Sequence, residues 1–200
     1  MTGTASETPL RHLFVAVPLA PEACDAVAGV VTRVREELQG NGREVRWVRL
    51  DGLHVTLRFL GATTDARLPG IEAALRLAAS RAVPFRVTVA GAGSFPPSGR
   101  PRVLWLGISE GVEELAGLER ALEDGLAMDG WERDPRPFRA HLTLARADGV
   151  RAGPRTVAAL VRAAEGFSAS WDATAVTLFE SHTGGGPARY EPLLRVPLGG

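Results

Sequence analysis

The chain contains no lysine: all 23 of its basic residues are arginine. A phosphate-binding P-loop needs its lysine and Schiff-base catalysis needs an amine. Nucleotidyl-transferring ligases use a lysine nucleophile, so all three chemistries are excluded. Cysteine is almost as scarce. Cys24 stands alone, so no intramolecular disulfide forms, and with only four scattered histidines a Cys/His zinc site is not expected. Cys24 falls in a helical pattern and reads as a small buried residue. Net charge is also missing, because 23 basic and 23 acidic residues cancel. No global field therefore draws the chain to nucleic acid or membrane, and any polyanion site has to be local. No apolar run reaches the length of a bilayer span. The segment from Met1 to Pro9 is polar and lacks the basic and apolar regions of a signal peptide. A reducing, cytoplasmic location is the simplest expectation.

What is present is an ordinary globular composition, 45% hydrophobic and 23% charged. Residues 1–10 read as a disordered or extended N-terminus and 11–198 as one domain. Strands are predicted over Arg11–Val17, Val45–Val48, His54–Gly61, Phe85–Ala90, Arg102–Ile108, His141–Arg146, Ala173–Phe179 and Tyr190–Pro197. Helices are predicted over Pro21–Gln39, Arg67–Ser80, Val112–Met128 and Val157–Ala164, from apolar residues at helical spacing and Gly or Pro at the ends. Gly40-Asn41-Gly42, Gly91–Arg100, Trp131–Phe138, Gly149–Pro154 and Thr183–Gly186 read as loops or turns. Arg102–Ile108 is nearly all apolar, which predicts a strand covered on both faces with Trp105 in the core.

One pattern stands out. His54-Val55-Thr56-Leu57-Arg58-Phe59 alternates polar and apolar, so His54, Thr56 and Arg58 share one face of a strand. The pattern returns as His141-Leu142-Thr143-Leu144-Ala145-Arg146. Two histidines on two strands suit the opening of a 2′,3′-cyclic phosphate. That reaction needs one base and one acid on opposite sides of phosphorus, and imidazole serves as either near neutrality. Thr56 and Thr143 lie on the same faces as the histidines, and their hydroxyls can donate to phosphate oxygens. Arg58 is aligned to add charge-assisted contacts. By strict alternation Arg146 faces away from His141, and it reaches the site only if the strand bulges or ends near Ala145. His12 and His182 have no partner motif and read as structural or solvated.

The paired H-x-T-L motifs resemble those of the two-histidine (2H) phosphoesterase superfamily. Arg46-Trp47-Val48, Leu53-His54 through Gly61, Pro101–Gly107, Arg136-Pro137-Phe138-Arg139-Ala140-His141 through Arg146, and Ala188–Leu193 are similar to its bacterial RNA 2′,3′-cyclic phosphodiesterase branch, the LigT-like or 2′-5′ RNA ligase family. Ala140 and Gly52 depart from that pattern, which usually has Pro and often Asn there. The resemblance implies an α+β, bilobal fold. Two pseudo-symmetric antiparallel sheets would face a central cleft, with helices outside. It implies metal-independent hydrolysis of cyclic ends to 2′-phosphates without a cofactor. His54 would be the proton donor, His141 the proton acceptor, and Thr56 and Thr143 their catalytic companions, with Arg58, Arg146 and Trp47 binding substrate. The partner implied is RNA or an oligonucleotide with a 2′,3′-cyclic phosphate end, engaged by a monomer without membrane or metal. Two other readings stay open at this level: a reversible 2′-5′ RNA ligase or phosphodiesterase, and a non-catalytic RNA-binding module.

Overall fold

The structure, a computed structural model, describes residues 10–38, 45–147, 153–184 and 187–199. The expected N-terminal extension up to residue 9, the Gly40-Asn41-Gly42 loop, most of the Gly149–Pro154 linker and Gly185-Gly186 lie outside the described residues. Nine strands and four α-helices follow in the order β1 (Arg11–Pro18), α1 (Pro21–Glu37), β2 (Arg46–Trp47), β3 (His54–Thr63), α2 (Leu68–Ser80), β4 (Phe85–Phe95), β5 (Val103–Glu110), α3 (Val112–Met128), β6 (His141–Arg146), α4 (Pro154–Ala163), β7 (Ser168–Ala173), β8 (Ala175–His182) and β9 (Arg189–Pro197). All pair antiparallel in the order β7-β4-β5-β6-β3-β1-β8-β9, with β2 beside β6. The architecture is the expected α+β one of two four-stranded halves. The halves are joined edge to edge, through a single β3–β6 residue pair, Val55 with Leu142.

The apolar face of each strand meets the helices. Val27, Val30, Val31 and Val34 recur along α1 at helical spacing and are all buried, and Leu115, Leu118, Leu122 and Leu126 do the same on α3. The helices exchange sides. Helix α1 follows β1 and precedes β2 and β3, yet packs on β7 and α4 in the other half. Helix α3 connects β5 to β6 yet packs on α2 and β3.

Three differences from the predicted elements have physical causes. Gly61 and Gly91, read as strand ends, adopt φ of 72° and 71° and form bulges, so β3 runs on to Thr63 and β4 runs on to Phe95. Strand β7 was missed because Ser168-Ala169-Ser170-Trp171-Asp172-Ala173 has no β-branched residue and lies at the sheet edge. Strand β5 is buried on one face only: Leu104 and Leu106 enter the core, while Trp105 lies half-buried on the other face, its ring 5.3 Å from that of Phe95.

Helices α2 and α3 approach closely at Gly125. A Cβ added there would lie 2.8 Å from the Ala74 Cα, a backbone atom that cannot swing away. Gly125→Ala is therefore expected to destabilise by about 1–3 kcal/mol through overpacking, despite roughly 1 kcal/mol of helix propensity in its favour. A urea midpoint equal to or above that of the parent chain would contradict this packing argument.

Candidate active site

The Val55–Leu142 pair is antiparallel. Residues on either side of it therefore face each other crosswise: His54 lies across from Thr143, and Thr56 across from His141. Val55 and Leu142 point to the core and are fully buried, so the four polar side chains share the opposite face. Beyond Leu142, β2 takes over that edge of β6, pairing Arg46 with Arg146 and Trp47 with Ala145.

Each motif strand then breaks its alternation at the same place. In β3 the register against β1 slips between Val15–Arg58 and Ala16–Thr56, leaving Leu57 as the extra residue. In β6 the register against β5 slips between Trp105–Thr143 and Leu104–Ala145, leaving Leu144 as the extra residue. A bulge reverses which face the following residues occupy. The fifth residue after each histidine, Phe59 in one strand and Arg146 in the other, therefore turns to the site. The fourth, Arg58 or Ala145, turns away.

The consequence is a cavity of about 540 Å³ whose wall includes His54, Thr56, Thr143, Arg146, Trp47 and Tyr190. Arg146 meets the condition set for it from sequence. Arg58 does not reach the cavity, and this corrects the expectation that it binds substrate. It lies opposite Val15 on the helix-facing side. There its Nε is 3.0 Å from Glu123 Oε1 and its Nη1 is 3.3 Å from Asp134 Oδ2, and its Nη2 donates to the Glu132 carbonyl at 2.6 Å. His141 is not itself part of the cavity wall. Its ring stands edge-on to Phe95 at 5.1 Å, yet its charge contributes to the ionisation of His54. Four residues given no site role from sequence also line the cavity: Phe59, Arg136, Tyr190, and His12, which corrects its reading as structural or solvated. The bulge in β3 was the missing signal for Phe59. His182 pairs instead with Glu191 at 3.1 Å.

Both imidazoles are held alike. His54 Nδ1 is 2.7 Å from the Gly52 carbonyl, and His141 Nδ1 is 2.7 Å from the Arg139 carbonyl, each two residues upstream. A carbonyl only accepts, so each Nδ1 carries the proton and each Nε2 lone pair is left for the site. Gly52 allows this packing, since a Cβ there would come within 3.0 Å of the Tyr190 ring. His54 sits among aromatic rings, 4.8 Å from Phe14 and 5.0 Å edge-on from Tyr190. That burial, with smaller contributions from the Arg146 and His141 charges, pushes its pKa down to about 4 against the Gly52 hydrogen bond. Burial lowers His141 too, less far, with Arg146 acting in the same sense. No carboxylate lines the cavity among the described residues, and Arg146 makes no ion pair among them. Nor do three or more His, Cys, Asp or Glu side chains cluster as metal ligands would among those residues. The arrangement offers two neutral imidazole bases, two hydroxyl donors and a guanidinium around a space suited to a phosphate anion.

The model of the 2′-5′ RNA ligase superfamily matches residues 12–185. The chain belongs to this superfamily. Among its relatives is the RNA 2′,3′-cyclic phosphodiesterase of Archaeoglobus fulgidus, 37% identical over 135 residues, covering 68% of this chain and 72% of that one. The protein of the same name from Escherichia coli is 34% identical over 157 residues, covering 76% and 80%. Among solved structures, TT0787 of Thermus thermophilus superposes with a TM-score of 0.77 at 29% identity, covering 94% of this chain and 98% of that one. Escherichia coli LigT complexed with 3′-AMP superposes with a TM-score of 0.66 at 27% identity, again covering 94% and 98%. In this superfamily member, as in the motif reading, the shared segment contains both H-x-T strands. No helix among the described residues is long and apolar enough to cross a membrane.

Two outcomes follow from the electrostatics. Arg58→Ala would leave Glu123, 5% exposed, without its cation. Removing one partner of a buried pair costs about 3–5 kcal/mol, so thermal stability should fall, and Arg58→Met with Glu123→Gln should recover part of it. Unchanged stability in Arg58→Ala would show the pair to be idle. For His54, the folded pKa of about 4 lies below the reference of 6.5, so the unfolded chain binds the proton more readily. The stabilisation is fully present above about pH 6.5 and is lost as pH falls towards 4, on the order of 3 kcal/mol in all. As pH falls through this range the parent chain should lose stability relative to His54→Gln in denaturation; parallel curves would refute the assignment.

Proposed function

We propose that the chain hydrolyses RNA 2′,3′-cyclic phosphate ends to 2′-phosphates by paired histidine acid–base catalysis, without a metal ion. The observation that carries this reading is the crosswise placement of two Nδ1-protonated histidines and two threonines on one sheet face beside Arg146. The names of the relatives give the same reaction class. Metal independence is supported by the donor set, since hydroxyls and a guanidinium can stabilise the charge that develops on phosphorus. A single cysteine supports a cytoplasmic setting.

In the reaction, His141 Nε2 takes a proton from water as its oxygen bonds to phosphorus. The bond from phosphorus to the 3′ oxygen breaks, and His54 Nε2–H protonates that oxygen. The products are a 2′-phosphate and a free 3′-hydroxyl. Thr56 and Thr143 donate to the non-bridging oxygens, Arg146 neutralises them and Trp47 borders the nucleoside.

One proton must therefore be shared by two histidines that are both neutral in the free protein at pH 7. The singly protonated form is most populated between the two lowered pKa values, the lower of which is near 4, and within it the productive arrangement, with the proton on His54 and none on His141, is the minor one. The profile of kcat/KM should peak on the acid side of about pH 6.5 and fall about tenfold per unit above its upper limb. A bound phosphate anion raises both pKa values, so the kcat profile should lie to the alkaline side of it. His54→Ala and His141→Ala should each lose roughly 10²–10⁴ in rate on a cyclic phosphate. On a nitrophenyl phosphodiester, whose leaving group needs no proton, His54→Ala should be largely rescued and His141→Ala should not. Rescue of His141→Ala instead would exchange the two roles, and rescue of neither would remove proton transfer from the account.

A further inference from the structure

Three arginines, Arg46, Arg136 and Arg146, and no carboxylate line the cavity among the described residues. A cyclic phosphodiester carries a single negative charge, and Arg146 with the two threonines is placed to meet it. Arg136 is therefore surplus to the reacting phosphate, and it is held in a particular way. Its backbone N–H and its Nε each donate to Asp134 Oδ1 at 3.0 Å, and its Nη2 donates to Oδ2 at 2.8 Å. Asp134 is in turn gripped by Arg58, which is anchored on Glu123. Neither carboxylate is part of the cavity wall, whereas Arg136 is, with its side chain 75% exposed and its Nη1 making no bond among the described residues.

The anchor of Arg136 lies away from His54. Asp134 is tied to Arg58, four residues along β3 from His54, or about 13 Å of extended strand. The electrostatics agree. The Arg146 charge reaches both imidazoles, whereas that of Arg136 contributes to neither, and Asp134 is kept ionised, at about 2, chiefly by its bonds to Arg136.

We infer that Arg136 binds a second phosphate of the substrate, upstream of the cyclic end, and that Asp134 and Arg58 are its positioning residues. The preferred substrate class is then the oligonucleotide rather than the single nucleoside 2′,3′-cyclic phosphate. This rests on the cyclic phosphodiesterase reading of the same cavity. The Asp134 clamp fixes a flexible side chain before substrate arrives, which lowers the entropy lost on binding. It also explains why the β3 bulge turns Arg58 away from the site: the guanidinium is used to hold the arm that carries Arg136.

The test compares adenosine 2′,3′-cyclic phosphate with oligoadenylates of two and three nucleotides bearing the same end. The parent protein should show a higher kcat/KM on the oligonucleotides, mainly through KM, and that advantage should shrink as salt is raised. In Arg136→Gln the ratio of oligonucleotide to mononucleotide kcat/KM should fall about tenfold, with Arg136→Lys recovering part of it. Asp134→Asn should shift the ratio the same way by less. If Asp134→Asn only loosens the fold, all substrates lose equally, and Arg136→Gln still decides. An unchanged ratio in Arg136→Gln, or an equal loss on every substrate through kcat, would overturn the inference. A parent protein that opens none of these substrates would refute the cyclic phosphodiesterase reading itself. One that opens all of them with the same kcat/KM would refute only the role of Arg136.

Discussion

Every feature of the site depends on where two strands touch. Strands β3 and β6 share one residue pair, Val55 with Leu142, and that pair joins the two halves of the sheet. Its apolar side chains are wholly buried, so the register cannot slip by one residue without exchanging the core for the polar face. The hydrophobic core thereby fixes the crosswise relation of His54 to Thr143 and of Thr56 to His141. A geometry of four polar side chains that no single polar contact would hold is set by packing on the opposite side of the sheet.

The electrostatics of the site come from the same construction. Aromatic side chains of β1, β8 and β9 pack around His54, and Phe95 of β4 packs against His141. They hold both imidazoles neutral, while the carbonyls of Gly52 and Arg139 each accept the Nδ1 proton and so fix the tautomer. The protein supplies cationic donors from Arg146, and two carboxylates, Glu123 and Asp134, stay off the cavity wall and paired to Arg58. A chain with no net charge can thus present a locally cationic pocket.

Much of this was legible from the sequence. The recurrence of His-x-Thr within alternating strands places four residues on a polar face, and helical spacing identifies α1 to α4 with small boundary errors. The antiparallel sheet came from the family resemblance, since spacing alone does not give strand direction. What alternation could not supply was the bulge after each threonine. A bulge depends on how the neighbouring strand is registered, and β1 and β5 are distant in sequence. That is why Arg58 was expected in the site and found behind it, why Arg146 was conditional, and why Phe59, on the opposite face by strict alternation, was not expected there. The positive-φ glycines at 61 and 91 misled for a related reason, since the same residue ends one strand and bends another. Arg136 falls within a motif of the resemblance, but nothing in its spacing shows that Asp134 holds it at the cavity wall.

The exchange of helices between the halves has its own consequence. Helix α1 leaves one half to pack on β7 of the other, and α3 does the reverse on β3. Two lobes strapped together in this way cannot swing apart as rigid bodies about a hinge without uncovering both apolar faces. The cleft therefore works as a fixed mould, and the conformational adjustment on binding falls on the ligand rather than on the protein.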